Sequence, residues 1–174
     1  MEIRKAEMKD LNQIMEIIRQ AKQYFHDNGI PQWQSEYPDE TDIRADIENN
    51  GGVVLEENGE IEAYCYIAIM QDPNYEVIEG RWLNDSPYAV MHRTCVRNTC
   101  KGKGAAGMFV EYAKKKVLET GLCDIRVDTH ELNTSMRHMV KKAGFSECGI
   151  IHMEDGTPRV ASQLHLESNK ERSC

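Results

Sequence analysis

Apolar side chains recur at helical spacing between residues 10 and 27, where Leu11, Ile14, Met15, Ile18, Ala21 and Phe25 fall on one face. A short strand over 3–6 leads into this helix. Asn28-Gly29 ends it, glycine being suited to the left-handed position after a helix. The next stretch is a loop with Pro31 and Pro38 and two large aromatics, Trp33 and Tyr37. Thr41 is placed to cap a short second helix that carries Ile43 and Ile47 inward. From Gly52 the period becomes two. Strands over 53–57 and 60–70 flank Asn58-Gly59, a hairpin turn whose central residues both take positive φ. Ile61, Ala63, Cys65, Ile67 and Ile69 share one face, with Tyr64 and Tyr66 on the other. A polar stretch over 71–87 is interrupted by Trp82 and Leu83. Residues 88–96 then read as a strand, largely apolar on both faces.

A glycine-containing run, 97–107, opens a helix that reaches about Thr120 and buries Ala106, Phe109, Val110, Ala113 and Val117. Gly121 ends it, and Lys114, Lys115 and Lys116 read as a solvated face near its carboxyl end. A strand over 122–130 follows, then a helix capped by Asn133 and running to about Ala143. Strands over 145–153 and 159–166 are joined by a turn at Asp155-Gly156. The order β-α-α-β-β-β-α-β-α-β-β indicates an α/β fold with a mixed sheet and helices on its faces. Residues 1–166 are expected to form a single domain, and 167–174 a polar tail.

Composition narrows the function. No run of about 18 apolar residues is available to span a membrane, and the amino-terminal residues lack the apolar core of a signal peptide. A cytoplasmic protein is expected. Cys65, Cys95, Cys100, Cys123, Cys148 and Cys174 are then expected as reduced thiols, mostly in apolar strands. None forms a Cys-x-x-Cys pair and the six histidines do not fall at zinc-ligand spacing, so no metal is expected. The net charge of −8 argues against nucleic acid and favours a neutral or cationic small substrate.

The chemistry is concentrated at 101–107. An apolar strand precedes these residues and a helix follows, so unsatisfied backbone amides and the positive end of a helix dipole meet there. Glycines let phosphate oxygens approach those amides, and Lys101 and Lys103 add charge. The run is an anion site for phosphate or pyrophosphate. Gly102-x-Gly104-x-x-Gly107 matches the dinucleotide fingerprint, with Asp124 or Asp128 about 20 residues on. The context does not. Residues 97–101 separate the first glycine from the strand, and about 70 residues remain, too few for the rest of such a fold. A Walker loop is excluded, because no Gly-Lys-Ser/Thr stands at the required spacing.

Lys101-x-x-Gly104-x-Ala106 resembles the acetyl-CoA signature Arg/Gln-x-x-Gly-x-Gly/Ala of the GCN5-related N-acetyltransferases. Val96, where the fourth strand ends, Asn133-x-x-Met136 and Gly144-Phe145 fit the same family, and the resemblance covers about residues 2–166. It implies a mostly antiparallel central sheet flanked by helices, with acetyl-CoA as co-substrate and a small-molecule or peptide amine as acceptor. Homodimers are compatible with it. By the same resemblance, backbone amides of Lys101, Gly102, Lys103, Gly104, Ala105 and Ala106 would hold the pyrophosphate. Thr94, Cys95 and Val96 would pair with the pantetheine arm, an amide near Cys95 would stabilise the thioester oxyanion, and Asn133 would bond the pantetheine or thiol end. Lys101 stands in place of the usual arginine, keeping charge without bidentate geometry. Val140 stands where members often carry the tyrosine that protonates the departing thiolate.

Attack by an amine needs it uncharged. His92, on the side of its strand shared with Thr94 and Val96, is the candidate base; the other reading is a buried histidine bonded to a carbonyl. His130 near the cofactor's course, with Asp128 two residues before it, forms an orienting pair or a structural one. Trp33, Tyr37 and Trp82 line an acceptor pocket or anchor their loops to the core. The expected function is acetyl transfer to a primary amine by direct attack in a ternary complex. The alternative is a non-catalytic acyl-CoA-binding sensor or interaction module, which the missing tyrosine favours; a nucleotide-dependent oxidoreductase rests on glycine spacing alone.

Overall fold

In the computed structural model, residues 1–167 are described, so the expected tail from 168 onward and Cys174 lie outside the described residues. The described chain contains eight strands, paired mostly antiparallel, and four α-helices. Its described residues divide into two compact units, 1–67 with 92–109 and 68–91 with 110–167.

The first unit begins with β1 (Glu2–Lys5), α1 (Leu11–Asp27) and α2 (Glu40–Glu48), followed by β2 (Gly52–Glu57) and β3 (Glu60–Ile69). β2 pairs antiparallel with β1 and with β3. The hairpin is as the sequence predicts: Asn58 and Gly59 take φ of 53° and 85°. A bulge between Leu55 and Glu56 was not foreseeable from alternation. Of the helical stripe, Leu11, Ile14, Ile18 and Phe25 are buried as read; Leu11, Ile14 and Ile18, with Ile17 that the stripe left out, pack with Ile43, Val54 and Ile61. The cap of α2 is a correction. Asp39, not Thr41, starts it: its Oδ1 accepts from Thr41 N at 2.7 Å and Asp42 N at 3.1 Å, while Asp42 bonds back to Asp39 N. Reciprocal bonding satisfies more of the helix's open amides than a threonine two residues further in. On β3, Tyr64 is buried as fully as Cys65, while Ile69 is half-exposed.

One buried carboxylate organises this unit. Asp46, on α2, is 4% exposed and accepts from the Tyr64 hydroxyl at 2.6 Å and from Arg93 Nε at 2.8 Å. Arg93 Nη2 also donates to Asp46 Oδ1, closing a bidentate pair. Arg93 lies in β5 (Tyr88–Val96) yet has φ of +53°, a conformation that costs an ordinary residue about 1–2 kcal/mol. Because this residue breaks the alternation, period two alone does not carry the side of His92 across to Thr94 and Val96.

The second unit holds β4 (Glu79–Gly80), β6 (Asp124–Thr129), α4 (Thr134–Lys142), β7 (Ser146–His152) and β8 (Pro158–His165). Here β5 residues Tyr88, Ala89 and Val90 pair in parallel with Asp124, Ile125 and Arg126. β8 pairs antiparallel with β6 and β7, and β7 with β4. α3 (Ala105–Glu119) begins in the first unit and ends in the second. Ala105, not the expected Ala106, is buried on it, one position round the helix from the sequence reading; Phe109, Val110, Ala113 and Val117 are buried as expected.

The polar stretch over 71–87 hides β4, which is too short to show a period. Its pairing needs glycine on both sides. A Cβ on Gly149 would meet Glu79 O at 2.1 Å, and one on Gly80 would meet Cys148 O at 2.2 Å. Gly149→Ala is expected to destabilise the protein by about 1–3 kcal/mol through backbone displacement, read as a lower midpoint in urea unfolding. Asp46→Ala strands the Arg93 charge and is expected to cost about 3–5 kcal/mol. In a double-mutant cycle with Arg93→Met, the second change should recover part of that loss; simple additivity would count against the ion pair as the organising contact.

Candidate functional site

The glycine loop is assembled from both ends. Arg97 N donates to Glu62 O at 2.8 Å and Arg97 Nε to Ile61 O at 2.9 Å, tying the end of β5 to β3. Asn98 N bonds Gln20 Oε1 on α1 at 2.9 Å. Residues Asn98–Cys100 form one 3-10 turn, closed by Cys100 N to Arg97 O at 2.9 Å, and Cys100 is buried beneath it. Lys103 N then reaches Cys100 O at 3.3 Å.

Gly102 and Gly104 take φ of 79° and 84°, and a Cβ at either would meet nothing within 4 Å. Glycine is therefore required for conformation, and the space above the loop is open. α3 starts at Ala105, and its first internal bond runs from Met108 N to Gly104 O at 3.2 Å. Among the described residues, the amides of Gly102, Gly104, Ala105, Ala106 and Gly107 have no acceptor. Unsatisfied amides at a helix start, in an open glycine-lined concavity, suit an anion. Lys103 is exposed beside them. Lys101 lies differently: its ammonium stands 4.2 Å from the Tyr24 ring centroid, and burial lowers its pKa.

On β5, Arg93 Nη1 donates to the Tyr37 hydroxyl at 2.7 Å, and its guanidinium stands 4.9 Å from the Tyr66 ring centroid. His92 stacks parallel to Tyr66 with centroids 6.4 Å apart. The Thr94 hydroxyl lies 3.2 Å from Cys65 Sγ. Burial pushes the Cys65 thiol up to about 12 and holds the Cys95 thiol protonated as well, so neither sulfur is a ready nucleophile. Tyr37 is 40% exposed, whereas Trp33 packs edge-on to Phe25 at 5.4 Å as an anchor of the first core. Sequence reasoning missed Arg93 and Asp46. The signal available was a lone arginine inside an otherwise apolar strand.

In the second unit, Asn133 caps α4 through Oδ1, which accepts from Met136 N at 3.2 Å, and its Nδ2 donates to Thr129 Oγ1 at 3.1 Å. Val140 is buried on the inner side of the same helix. His130 is 7% exposed; its Nδ1 accepts from Leu132 N at 3.2 Å, which leaves the proton on Nε2. Burial first, and the Arg159 charge second, hold its pKa below the usual histidine value. Asp128 accepts from the buried Tyr75 hydroxyl at 2.7 Å. Trp82 is an anchor of this unit: its Nε1 donates to Tyr75 O at 3.0 Å, and Arg126 lies over its ring at 4.1 Å and over Tyr88 at 4.0 Å.

The structure thus gathers Thr94, Cys95, Val96, Lys101, Gly102, Lys103, Gly104, Ala105 and Ala106 with His92, Trp33 and Tyr37 in the first unit, and Trp82, His130 and Asn133 in the second. No three histidine, cysteine or acidic side chains among the described residues converge as metal ligands. No helix among them is long and apolar enough to cross a membrane.

Comparison with known proteins agrees with this geometry. Residues 11–145 match the model of the acetyltransferase (GNAT) family. A streptothricin acetyltransferase from Escherichia coli is 30% identical over 99 residues, which cover 56% of this chain and 55% of that protein. The chain thus spans about half the length of this curated relative. Among solved structures, a GNAT-family acetyltransferase from Streptococcus agalactiae superposes with a TM-score of 0.84 at 32% identity, covering 96% of both chains. The PaiA N-acetyltransferase from Thermoplasma acidophilum, solved with coenzyme A, shares the fold with a TM-score of 0.70 at 15% identity, over 94% of this chain and 98% of its own. Family match, fold and the amide-lined glycine loop agree: this chain belongs to the GNAT acetyltransferase family.

Proposed function

We propose that this chain is an N-acetyltransferase that moves acetyl from acetyl-CoA to a primary amine of a small molecule or peptide, by direct attack in a ternary complex. The observation that carries the reading is the set of unsatisfied amides at Gly102, Gly104, Ala105, Ala106 and Gly107, at the start of α3 and beside the Lys103 side chain. Such a set of helix-start amides suits a pyrophosphate. Residues 1–166 would act as one cytoplasmic acetyltransferase domain.

The backbone of Lys101, Gly102, Lys103, Gly104, Ala105 and Ala106 would hold the donor's pyrophosphate. Thr94, Cys95 and Val96 would offer main-chain groups to the pantetheine arm, and the amide near Cys95 would face the thioester oxygen. The positive φ of Arg93 supports that assignment, because a left-handed residue interrupts the strand ladder just before these amides. Asn133 has one N–H left beyond its bonds to Met136 and Thr129, enough for one contact to the donor. His92 would accept the ammonium proton, directly or through water. The amine nitrogen then attacks the thioester carbonyl, forming the C–N bond as the C–S bond breaks. The thiol's pKa of about 8.5 lets it depart as thiolate or with the proton the amine surrenders, so Val140 is tolerable in place of an acid. Tyr37, exposed and bonded to Arg93, would be the aromatic that meets the acceptor, while Trp33, Trp82 and His130 are the further residues that would contribute to acceptor binding.

Acetyl-CoA and CoA are expected to raise the melting temperature, and NAD is not. Equal stabilisation by NAD would overturn the donor assignment. Gly104→Val forces a β-branched residue into the left-handed region and is expected to weaken CoA binding about tenfold or more in calorimetry. Free-thiol release should appear with at least one acceptor in a panel of amines, polyamines, amino acids, peptides and streptothricin, the last prompted by the name of the Escherichia coli relative. Tight CoA binding with no release on any acceptor would favour a sensor, the role that the buried Val140 would suit.

A further inference from the structure

Arg159, near the start of β8, is 9% exposed, and its guanidinium is nearly unused. Nη1 donates to Pro158 O at 2.9 Å; among the described residues it makes no other hydrogen bond and no ion pair. Arg126, buried in the same unit, differs. It is stacked on Trp82 and Tyr88 and bonds Asn84 O at 2.8 Å and Gln163 Oε1 at 3.3 Å. Burying a cation without counter-charge is costly, so a folded chain seldom leaves one. The guanidinium is not sealed in either. Glu62 Oε2 is the only fully buried side-chain nitrogen or oxygen without a hydrogen bond among the described residues, so the open Arg159 nitrogens reach solvent.

A second side chain lies nearby. Thr129 faces Val160 in the β6–β8 register, and His130, the next residue, is close enough to Arg159 for that charge to help lower its pKa. His130 is buried and carries its proton on Nε2, because Nδ1 accepts from Leu132 N. Asp155 is near enough to feel the Arg159 charge, which adds to the Thr157 bonds in lowering its pKa, but it makes no direct contact with the guanidinium. Asp155 Oδ1 accepts from Thr157 N at 2.9 Å and Thr157 Oγ1 at 2.6 Å, and it forms no ion pair with the arginine.

We propose that Arg159, with His130 beside it, is an oxyanion subsite that takes a carboxylate or phosphate group of a bound ligand. The planar guanidinium offers two parallel N–H groups to two oxygens of such an anion, which a lysine in its place does not. Resting on the acetyl-transfer reading, the anion has two sources. It is the carboxylate of an amino-acid-like acceptor, or a phosphate of the acyl donor.

Calorimetric binding to the whole chain distinguishes them without requiring turnover. The probes are two pairs that differ by the anion: lysine with 1,5-diaminopentane, and CoA with 3′-dephospho-CoA. Arg159→Gln is expected to weaken the anionic member of one pair about 10- to 100-fold while leaving its partner within about twofold, and Arg159→Lys to lose less. Loss confined to lysine assigns the site to the acceptor, and loss confined to CoA assigns it to the donor; each supports an oxyanion subsite. The Gln variant should melt no lower than the wild type, because it removes a cation with no partner. Equal weakening of both members of each pair, no anion-dependent binding in the wild type, or a lowered melting temperature with unchanged binding would overturn the proposal. If CoA and 3′-dephospho-CoA bind but no acceptor is ever acetylated, the acetyl-transfer reading fails while the subsite stands or falls on its own result.

Discussion

Helix α3 begins with amides that its own chain cannot satisfy, and much of the rest of the structure serves to present them. The first turn of any α-helix leaves such donors open. Here two residues in left-handed backbone, Gly102 and Gly104, keep side chains away from them. The loop is pinned behind by Arg97 and Asn98, which reach β3 and α1, and below by the buried Cys100. A rigid concavity of that kind binds anions with little reorganisation, because the donors are already oriented. Lys101 contributes less directly than its position in the motif suggests. Its ammonium covers Tyr24, so the arginine-to-lysine change also alters what the side chain rests on.

The second constraint is the Asp46–Arg93 pair. It holds an arginine in a backbone conformation that the chain would not choose alone, and Tyr64 closes the carboxylate from the other side. Burial and the adjacent carboxylate keep the Tyr64 phenol protonated, so the bond persists across the ordinary pH range. Through Nη1 the same guanidinium reaches Tyr37 in the loop before α2. Strand conformation and loop position are thus set by one charged group. Removing a partner costs more than the contact itself, because the other charge remains buried.

Most of the fold was legible in the sequence because helices and hairpins announce themselves locally. The α1 stripe, the Asn58-Gly59 turn, the 88–96 strand and the Asn133 cap need only spacing and turn chemistry. The conformation of the glycine loop was legible for the same reason, since Gly102 and Gly104 encode its left-handed backbone directly. What stayed hidden depends on distant partners. Asp46 and Arg93 lie 47 positions apart, and nothing in either local pattern predicts the pair. β4 has two residues and no period. Trp82 and Trp33 gave equal support to lining and anchoring until their partners, Tyr75 and Phe25, were visible. Arg159 was not singled out at all, because an arginine without a counter-ion looks in sequence like any surface cation.

The central claim is that the open amides of Gly102, Gly104, Ala105, Ala106 and Gly107 are the donor site. Hydrogen–deuterium exchange of those amides, measured with and without saturating CoA, tests it at the atoms involved. The account predicts fast exchange in the free protein and strong slowing across the loop and first turn of α3 when CoA is bound. Slowing elsewhere in the chain, with these amides exchanging at an unchanged rate, would contradict it.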